Sequence, residues 1–182
     1  MATYAPDKYT KRLVNKDEPR LVFPFYSDTG KLLGLSGRAF DDEHLRYMTI
    51  KADDTDTLIF GLERFDNTKP GYVVEGPIDS FFLPNCIAVG GTAFSKLDLY
   101  AEKDKVTIVF DNQPRNPEVC ALFRKKIVED FKVCVWPEYL VEKDINDMIL
   151  NGATPETVKQ MIDEHTFVGD KAMLQFNDWR KC

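Results

Sequence analysis

Only two histidines, His44 and His165, and four cysteines, Cys86, Cys120, Cys134 and Cys182, occur in the 182 residues. The cysteines are too dispersed for a CxxC zinc site and too sparse for the disulfide framework of a small secreted domain. They are expected to be reduced and mostly in the core, and the histidines to serve surface or packing roles. No local Ser-His-Asp or Cys-His arrangement favours nucleophilic hydrolysis. The fingerprints GxxxxGK[ST] and GxGxxG are both missing, which argues against the mechanisms of P-loop ATPases and nicotinamide dehydrogenases. No apolar run reaches the roughly 20 residues that span a membrane. Met1 is followed by a polar, mixed-charge stretch rather than by a secretory leader, so cytoplasmic residence and no membrane partner are expected. Basic excess is also lacking. With Lys+Arg 24 against Asp+Glu 30 the net charge is -6, so any attraction to nucleic acid must come from a local positive surface.

What is present is enough to fold. Hydrophobic residues make up 43% and charged residues 30%, with Phe 13 and Tyr 7, which argues against disorder. Residues 1–20 form a polar lead-in. Residues 21–70 read as a small strand-rich lobe, in which LVFPFY and KLLGLSGRAF are strands joined by a turn at SDTG, with Gly30 supplying backbone freedom. Residues 71–150 carry strand patterns at Tyr72–Val74, Cys86–Val89, Val106–Phe110 and Val133–Trp136. Gly90-Gly91 signals a loop. Pro117 and Glu118 open a helix whose Val119, Phe123 and Ile127 share a buried face, leaving Arg124, Lys125 and Glu129 in solvent. A short helix follows at 145–150. Residues 151–182 read as a helical extension, with Thr154 as cap, Pro155 in the first turn, and Val158, Met161 and Ile162 as the apolar stripe. Its last segment, KAMLQFNDWRKC, is expected to pack as a terminal element. Alternating strands and helices indicate an α/β fold.

The chemistry concentrates in acids. Glu75 and Asp111 each follow a predicted strand, and the carboxyl ends of parallel strands are where α/β folds place ligand clefts. Asp79 follows in the next turn, and Asp144 and Asp147 are later contributors. Carboxylate oxygens suit hard divalent cations whose shell is completed by water and substrate phosphates. Taken singly, Asp79 reads first as a local cap, Gly90-Gly91-Thr92 as a tight turn, and residues 143–147 as a charged loop and helix entrance.

In order along the chain, EGPID at 75–79, GGTA at 90–93, DNQPRN at 111–116 and KDIND at 143–147 resemble the Toprim catalytic domain of bacterial and phage-type DNA primases. The segment RLVFPFYSDTGKLLGLSGRAF resembles the primase stretch leading into its nucleotide-handling surface, so the likeness runs from about Arg20 to Leu150. It implies a Toprim-like central sheet flanked by helices, with a small N-terminal strand-rich lobe. The activity implied is RNA primer synthesis on single-stranded DNA from ribonucleoside triphosphates, with Mg2+ or Mn2+.

By this resemblance Glu75, Asp79 and Asp111 are the catalytic acids, and Glu75, Asp111, Gln113 and Asp144 the metal positions. Gln113 departs from the family, which commonly has an acid there; a neutral amide neutralises less metal charge. Arg38, Gly91, Thr92, Lys96, Arg115, Asn146 and Asp147 are implied substrate contacts. Arg38 in GRAF stands first among the cations Arg38, Lys51, Arg64, Lys96, Arg115 and Arg124, any of which suits a phosphate track. The family's zinc-binding module finds no room in residues 1–20. An isolated core, a separately encoded subunit or a specialised phage form acting in the bacterial host cytoplasm is therefore expected. A replicative helicase or a separate zinc-binding primase module is the protein partner this implies. The alternatives are a Toprim-type nuclease or topoisomerase fragment, and a non-enzymatic module of a replication complex.

Overall fold

The computed structural model describes residues 19–40 and 47–182, with Gly91 and Thr92 described by their backbone alone. The lead-in up to residue 18, His44 and the Thr92 side chain lie outside the described residues. Strands β1 (Arg20–Tyr26), β2 (Leu32–Ala39) and β3 (Tyr47–Lys51) form an antiparallel three-stranded sheet in that order. The β1–β2 turn is the one the sequence indicated: Gly30 takes φ 80°, and its N–H donates to the Ser27 carbonyl.

The larger sheet has six strands: β4 (Ile59–Phe60), β5 (Gly71–Val74), β6 (Cys86–Val89), β7 (Val106–Val109), β8 (Lys132–Cys134) and β9 (Thr166–Phe167). Their order is β4-β6-β5-β7-β8-β9. The inner four run parallel, while β4 and β9 close the edges antiparallel. All residues of β5 and β6 are buried, as expected of parallel strands covered on both faces. The small sheet docks through Phe23 and Phe25, whose rings meet Phe60 of β4 edge-on at 5.7 and 5.9 Å. Although it lies within residues 21–70, β4 belongs to the large sheet.

Among the described residues four α-helices flank this sheet: α1 (Pro117–Val128), α2 (Ile145–Leu150), α3 (Pro155–Glu164) and α4 (Gly169–Trp179). At α1 the Asn116 side chain accepts from the Glu118 and Val119 N–H groups, with Pro117 in the first turn. Val119, Phe123 and Ile127 form the buried face. Glu129, expected in solvent, is instead half-buried and accepts from Lys126 at 2.6 Å. The Lys126 ammonium is itself buried over the Phe131 ring, so the pair is part of the packing. The terminal segment packs as helix α4, with Ala172, Phe176 and Trp179 facing inward. Phe94, Phe110, Phe123 and Phe176 stack in sequence with ring centroids 5.2, 4.7 and 5.1 Å apart, joining α4 to the core beside β7.

Short 3-10 turns cover Leu62–Arg64 and Asp79–Phe82, and a longer one covers Gly91–Leu99. The sequence indicated only a loop at the start of the last; burial of Ala93, Phe94 and Leu97 on one side explains why the chain coils there. Cys86, Cys120 and Cys134 are buried and Cys182 is exposed, all as free thiols. Among the described residues no helix is long and apolar enough to cross a membrane.

Candidate functional site

Glu75 and Asp111 are 36 residues apart in sequence, yet β5 and β7 are parallel neighbours with Val74 opposite Val109. Their carboxyl ends therefore open at one point, where one Glu75 oxygen accepts the Asp111 N–H at 3.0 Å. Asp79 begins the 3-10 turn after β5, and its Oδ1 accepts the Asn146 N–H at 2.8 Å. Gly76 permits that turn to close: a Cβ there would stand 2.6 Å from Asp79 Oδ2. Asp144 is the N-cap of α2, accepting the Asp147 N–H at 2.9 Å. Residues 143–147 thus enter a helix and lie beside Asp79.

Two residues not singled out from the sequence organise this cluster. The Lys143 ammonium lies 2.7 Å from Asp111 and 3.5 Å from Asp144. Asn112 straps the 140–143 segment to the end of β7. Its N–H donates to the Lys143 carbonyl at 2.6 Å, and its side-chain amide to the Leu140 and Glu142 carbonyls at 3.0 and 3.1 Å. The Asn112 side-chain oxygen accepts from the Trp179 indole at 3.0 Å, so the C-terminal helix fixes the strap. A lysine directly before an acid and an asparagine directly after one were the only sequence signals available.

Glu75, Asp79 and Asp111 hold their protons more tightly than usual. Burial lifts the Asp79 carboxyl to about 7, with Asp144 and Asp111 adding repulsion and the Asn146 N–H opposing. Burial and the neighbouring Asp111 charge raise Glu75. Asp111 is raised by burial despite its bond to Lys143. For Lys143 burial works against the ammonium, but Asp111 and Asp144 prevail and raise it.

These groups form one wall of a cleft of about 1070 Å³ between the two sheets. That is at the upper end of the roughly 300–1,000 Å³ usual for small-ligand sites, so an extended ligand fits. Glu75, Asp79, Asp111, Asp144, Asn146 and Asp147 all line it. Arg38 and Lys51 of the small sheet line it too, as does Lys96. Arg38 lies 5.8 Å from the Tyr47 ring centroid, Lys51 donates to the Asp56 carbonyl, and Lys96 donates to Thr57 at 3.2 Å. Among the described residues, Gln113, Arg115, Arg64 and Arg124 do not line it. Gln113 is half-buried, and its side-chain oxygen accepts from Asn116 at the start of α1. Arg115 is exposed on the same connection, Arg64 covers the Phe60 ring, and Arg124 is on the outer face of α1. The six cations therefore do not make one track. Gly91 starts the Gly91–Leu99 turn beside Gly90, which lines the cleft.

Among the described residues no three His, Cys, Asp or Glu side chains gather into a ready-made metal cage. Mg2+ does not need one, since it is commonly held by one or two carboxylates plus water and substrate phosphates. Asp111 and Asp144 meet that requirement chemically. They are hard oxygen donors that already share one cation, the Lys143 ammonium.

No protein-family model matches the chain. Across 97% of its length it is 37% identical to the DNA primase of Enterobacteria phage T4, and it covers 51% of that protein, about half its length. Solved structures that share its fold include three primase structures. A DNA primase domain from Pseudomonas aeruginosa superposes with TM-score 0.62 at 16% identity, over 81% of this chain and 51% of the other. The zinc-binding and RNA polymerase domains of Aquifex aeolicus primase give 0.59 at 20%, over 81% and 41%. The primase fragment of the bacteriophage T7 primase-helicase protein gives 0.58 at 16%, over 78% and 61%.

Proposed function

We propose that this chain, which resembles the Toprim catalytic core of bacterial and phage-type DNA primases in sequence and fold, performs metal-dependent nucleotidyl transfer that builds RNA primers on single-stranded DNA from ribonucleoside triphosphates. The observation that carries the reading is the Asp111–Asp144 pair sharing one cation beside half-buried Glu75 and buried Asp79, in a cleft also lined by Arg38 and Lys51 of the small sheet.

Asp111 and Asp144 would hold Mg2+ or Mn2+, with Glu75 next to them. When bound, the ion lowers the pKa of an attacking 3′ hydroxyl and offsets charge on the triphosphate. Glu75, with its raised proton affinity, takes the proton from that hydroxyl; a base of this kind contributes roughly 10²–10⁴-fold. Asp79 keeps the start of α2 in place through the Asn146 N–H, and with it Asp144 and Asp147. Arg38, Lys51 and Lys96 attract the triphosphate and the template phosphates, compensating locally for the acidic net charge. Gln113 supports the site from outside the cleft by shaping the connection from β7 to α1 through Asn116, and Arg115, exposed on the same connection, is placed to meet substrate phosphate from outside the cleft.

The partners proposed with this activity are a zinc-binding primase module and a replicative helicase, and the place of action is the bacterial host cytoplasm. The Aquifex aeolicus structure joins zinc-binding to RNA polymerase domains, and the T7 fragment comes from a primase-helicase protein. Primer synthesis on single-stranded DNA with the four ribonucleoside triphosphates and Mg2+ or Mn2+ tests the reading. RNA products reduced at least about 100-fold in Glu75→Gln support it. Template fragments in place of RNA would instead indicate a Toprim-type nuclease. Neither product from folded wild type would sink autonomous catalysis.

A further inference from the structure

The Lys143 ammonium lies where a cation shared by Asp111 and Asp144 would stand. It contacts Oδ2 of both carboxylates, at 2.7 and 3.5 Å. The other Asp144 oxygen is engaged at the start of α2, and one Glu75 oxygen is engaged by the Asp111 N–H. Lys143 is thus paired with the Asp144 oxygen that the helix start leaves open and with one oxygen of Asp111.

Exposure separates this ion pair from an ordinary surface bridge. The Asp111 and Asp144 side chains are 17% and 20% exposed, whereas that of Lys143 is 47% exposed. The carboxylates are held in the cleft wall, and the ammonium reaches in from solvent. The Lys143 main chain is pinned by the Asn112 N–H. Rotation about its own side-chain bonds is therefore enough to turn the ammonium to solvent, with the main chain held at the end of β7. The cleft is also lined by Glu75, Asp79 and Asp147, and Lys143 directly contacts the carboxylates of Asp111 and Asp144 within this acidic group.

We infer that Lys143 is a built-in counter-cation: it holds Asp111 and Asp144 together in the metal-free chain and is exchanged for the divalent ion when that ion binds. The inference rests on the metal-dependent reading above and adds a regulatory consequence to it. Metal affinity at this site is the difference between two cations competing for the same oxygens, so Lys143 weakens metal binding while it stabilises the empty cleft. Breaking and remaking these contacts involves no covalent change; the ammonium keeps its proton and turns to solvent or to substrate phosphate.

The experiment uses the full chain freed of metal, with Mn2+ as the probe. Binding is followed by calorimetry, and thermal unfolding is followed in EDTA and in saturating Mn2+. The expected result is that Lys143→Met binds Mn2+ roughly tenfold more tightly than wild type, equivalent to about 1.4 kcal/mol. Its Tm in EDTA should fall below that of wild type, and Mn2+ should raise its Tm by more. Lys143→Arg, which keeps the charge, should retain wild-type affinity; a tenfold gain there as well would overturn the inference. If Lys143→Met folds only with Mn2+, that outcome supports it, and if it folds in neither condition Lys143→Gln replaces it in the comparison. Mn2+ binding by wild type with equal or weaker binding by the charge-removing variant overturns the counter-cation role and leaves the metal site standing. Loss of Mn2+ binding in Asp111→Asn alone locates the site. Absence of binding in wild type overturns the metal reading and the inference together.

Discussion

Asp79→Asn should stabilise the metal-free protein at pH 8 while leaving it unchanged near pH 4. Asp79 is buried, and its carboxyl ionises near pH 7 against an ordinary 3.8, because burial disfavours the charge and Asp144 and Asp111 repel it. Below about pH 4 the folded and unfolded chains both carry the proton. Between about pH 4 and 7 the folded chain keeps a proton that the unfolded chain has released, so stability falls as pH rises, and above 7 the loss is complete. A difference of about three pH units corresponds to a ceiling of about 4 kcal/mol. Local relaxation and water penetration reduce this, and about 2 kcal/mol is the expected gain for the asparagine at pH 8. Asparagine keeps a side-chain oxygen for the Asn146 N–H, so the bond that orders α2 is retained. Glu75 and Asp111 are shifted in the same direction, so the variant keeps a shallower slope of its own. Urea unfolding in EDTA at pH 4, 5, 6, 7 and 8 measures the difference. Parallel stability curves for wild type and variant across that range would refute the argument that Asp79 is ionised at a cost.

Asn112→Ala removes the side-chain bonds to the Leu140 and Glu142 carbonyls and to the Trp179 indole, and should destabilise by about 2–3 kcal/mol. It should also disorder Lys143 and Asp144, which amide hydrogen exchange over 140–147 would report as lost protection; unchanged exchange there would contradict the strap. Phe123→Ala empties the centre of the aromatic stack joining α1, α4 and Phe110, at an expected cost of about 3–5 kcal/mol by chemical denaturation. A loss below about 1 kcal/mol would mean the neighbouring rings collapse into the space.

Much of this architecture is local and so was legible in the residues. Asn116-Pro117 starts α1 and Thr154-Pro155 starts α3 because capping and a fixed proline φ act within one turn of chain. The apolar runs of β5 and β6 announce strands buried on both faces. The Gly91–Leu99 turn was not legible, since its glycines speak for a loop and only contact with the core holds Ala93, Phe94 and Leu97 in a coil. Glu129 likewise looked like a solvated charge until Lys126 was found buried beneath it.

For the site, the sequence determined that acids stand at strand ends, and the order of EGPID, GGTA, DNQPRN and KDIND carried the resemblance. Only the tertiary structure decided which of those groups meet. The parallel pairing of β5 with β7 brings Glu75 to the Asp111 N–H across 36 residues, and the start of α2 delivers Asp144 to the same place. By contrast, Gln113 and Arg115, within four residues of Asp111, turn away because the chain there is already bending into the cap of α1. Lys143 acquires its importance from the same assembly. An ammonium on a flexible stem is one of many in the sequence until two carboxylates are held on either side of it, and holding them there is the work of strand register and the Asn112 strap, which no short stretch of residues encodes.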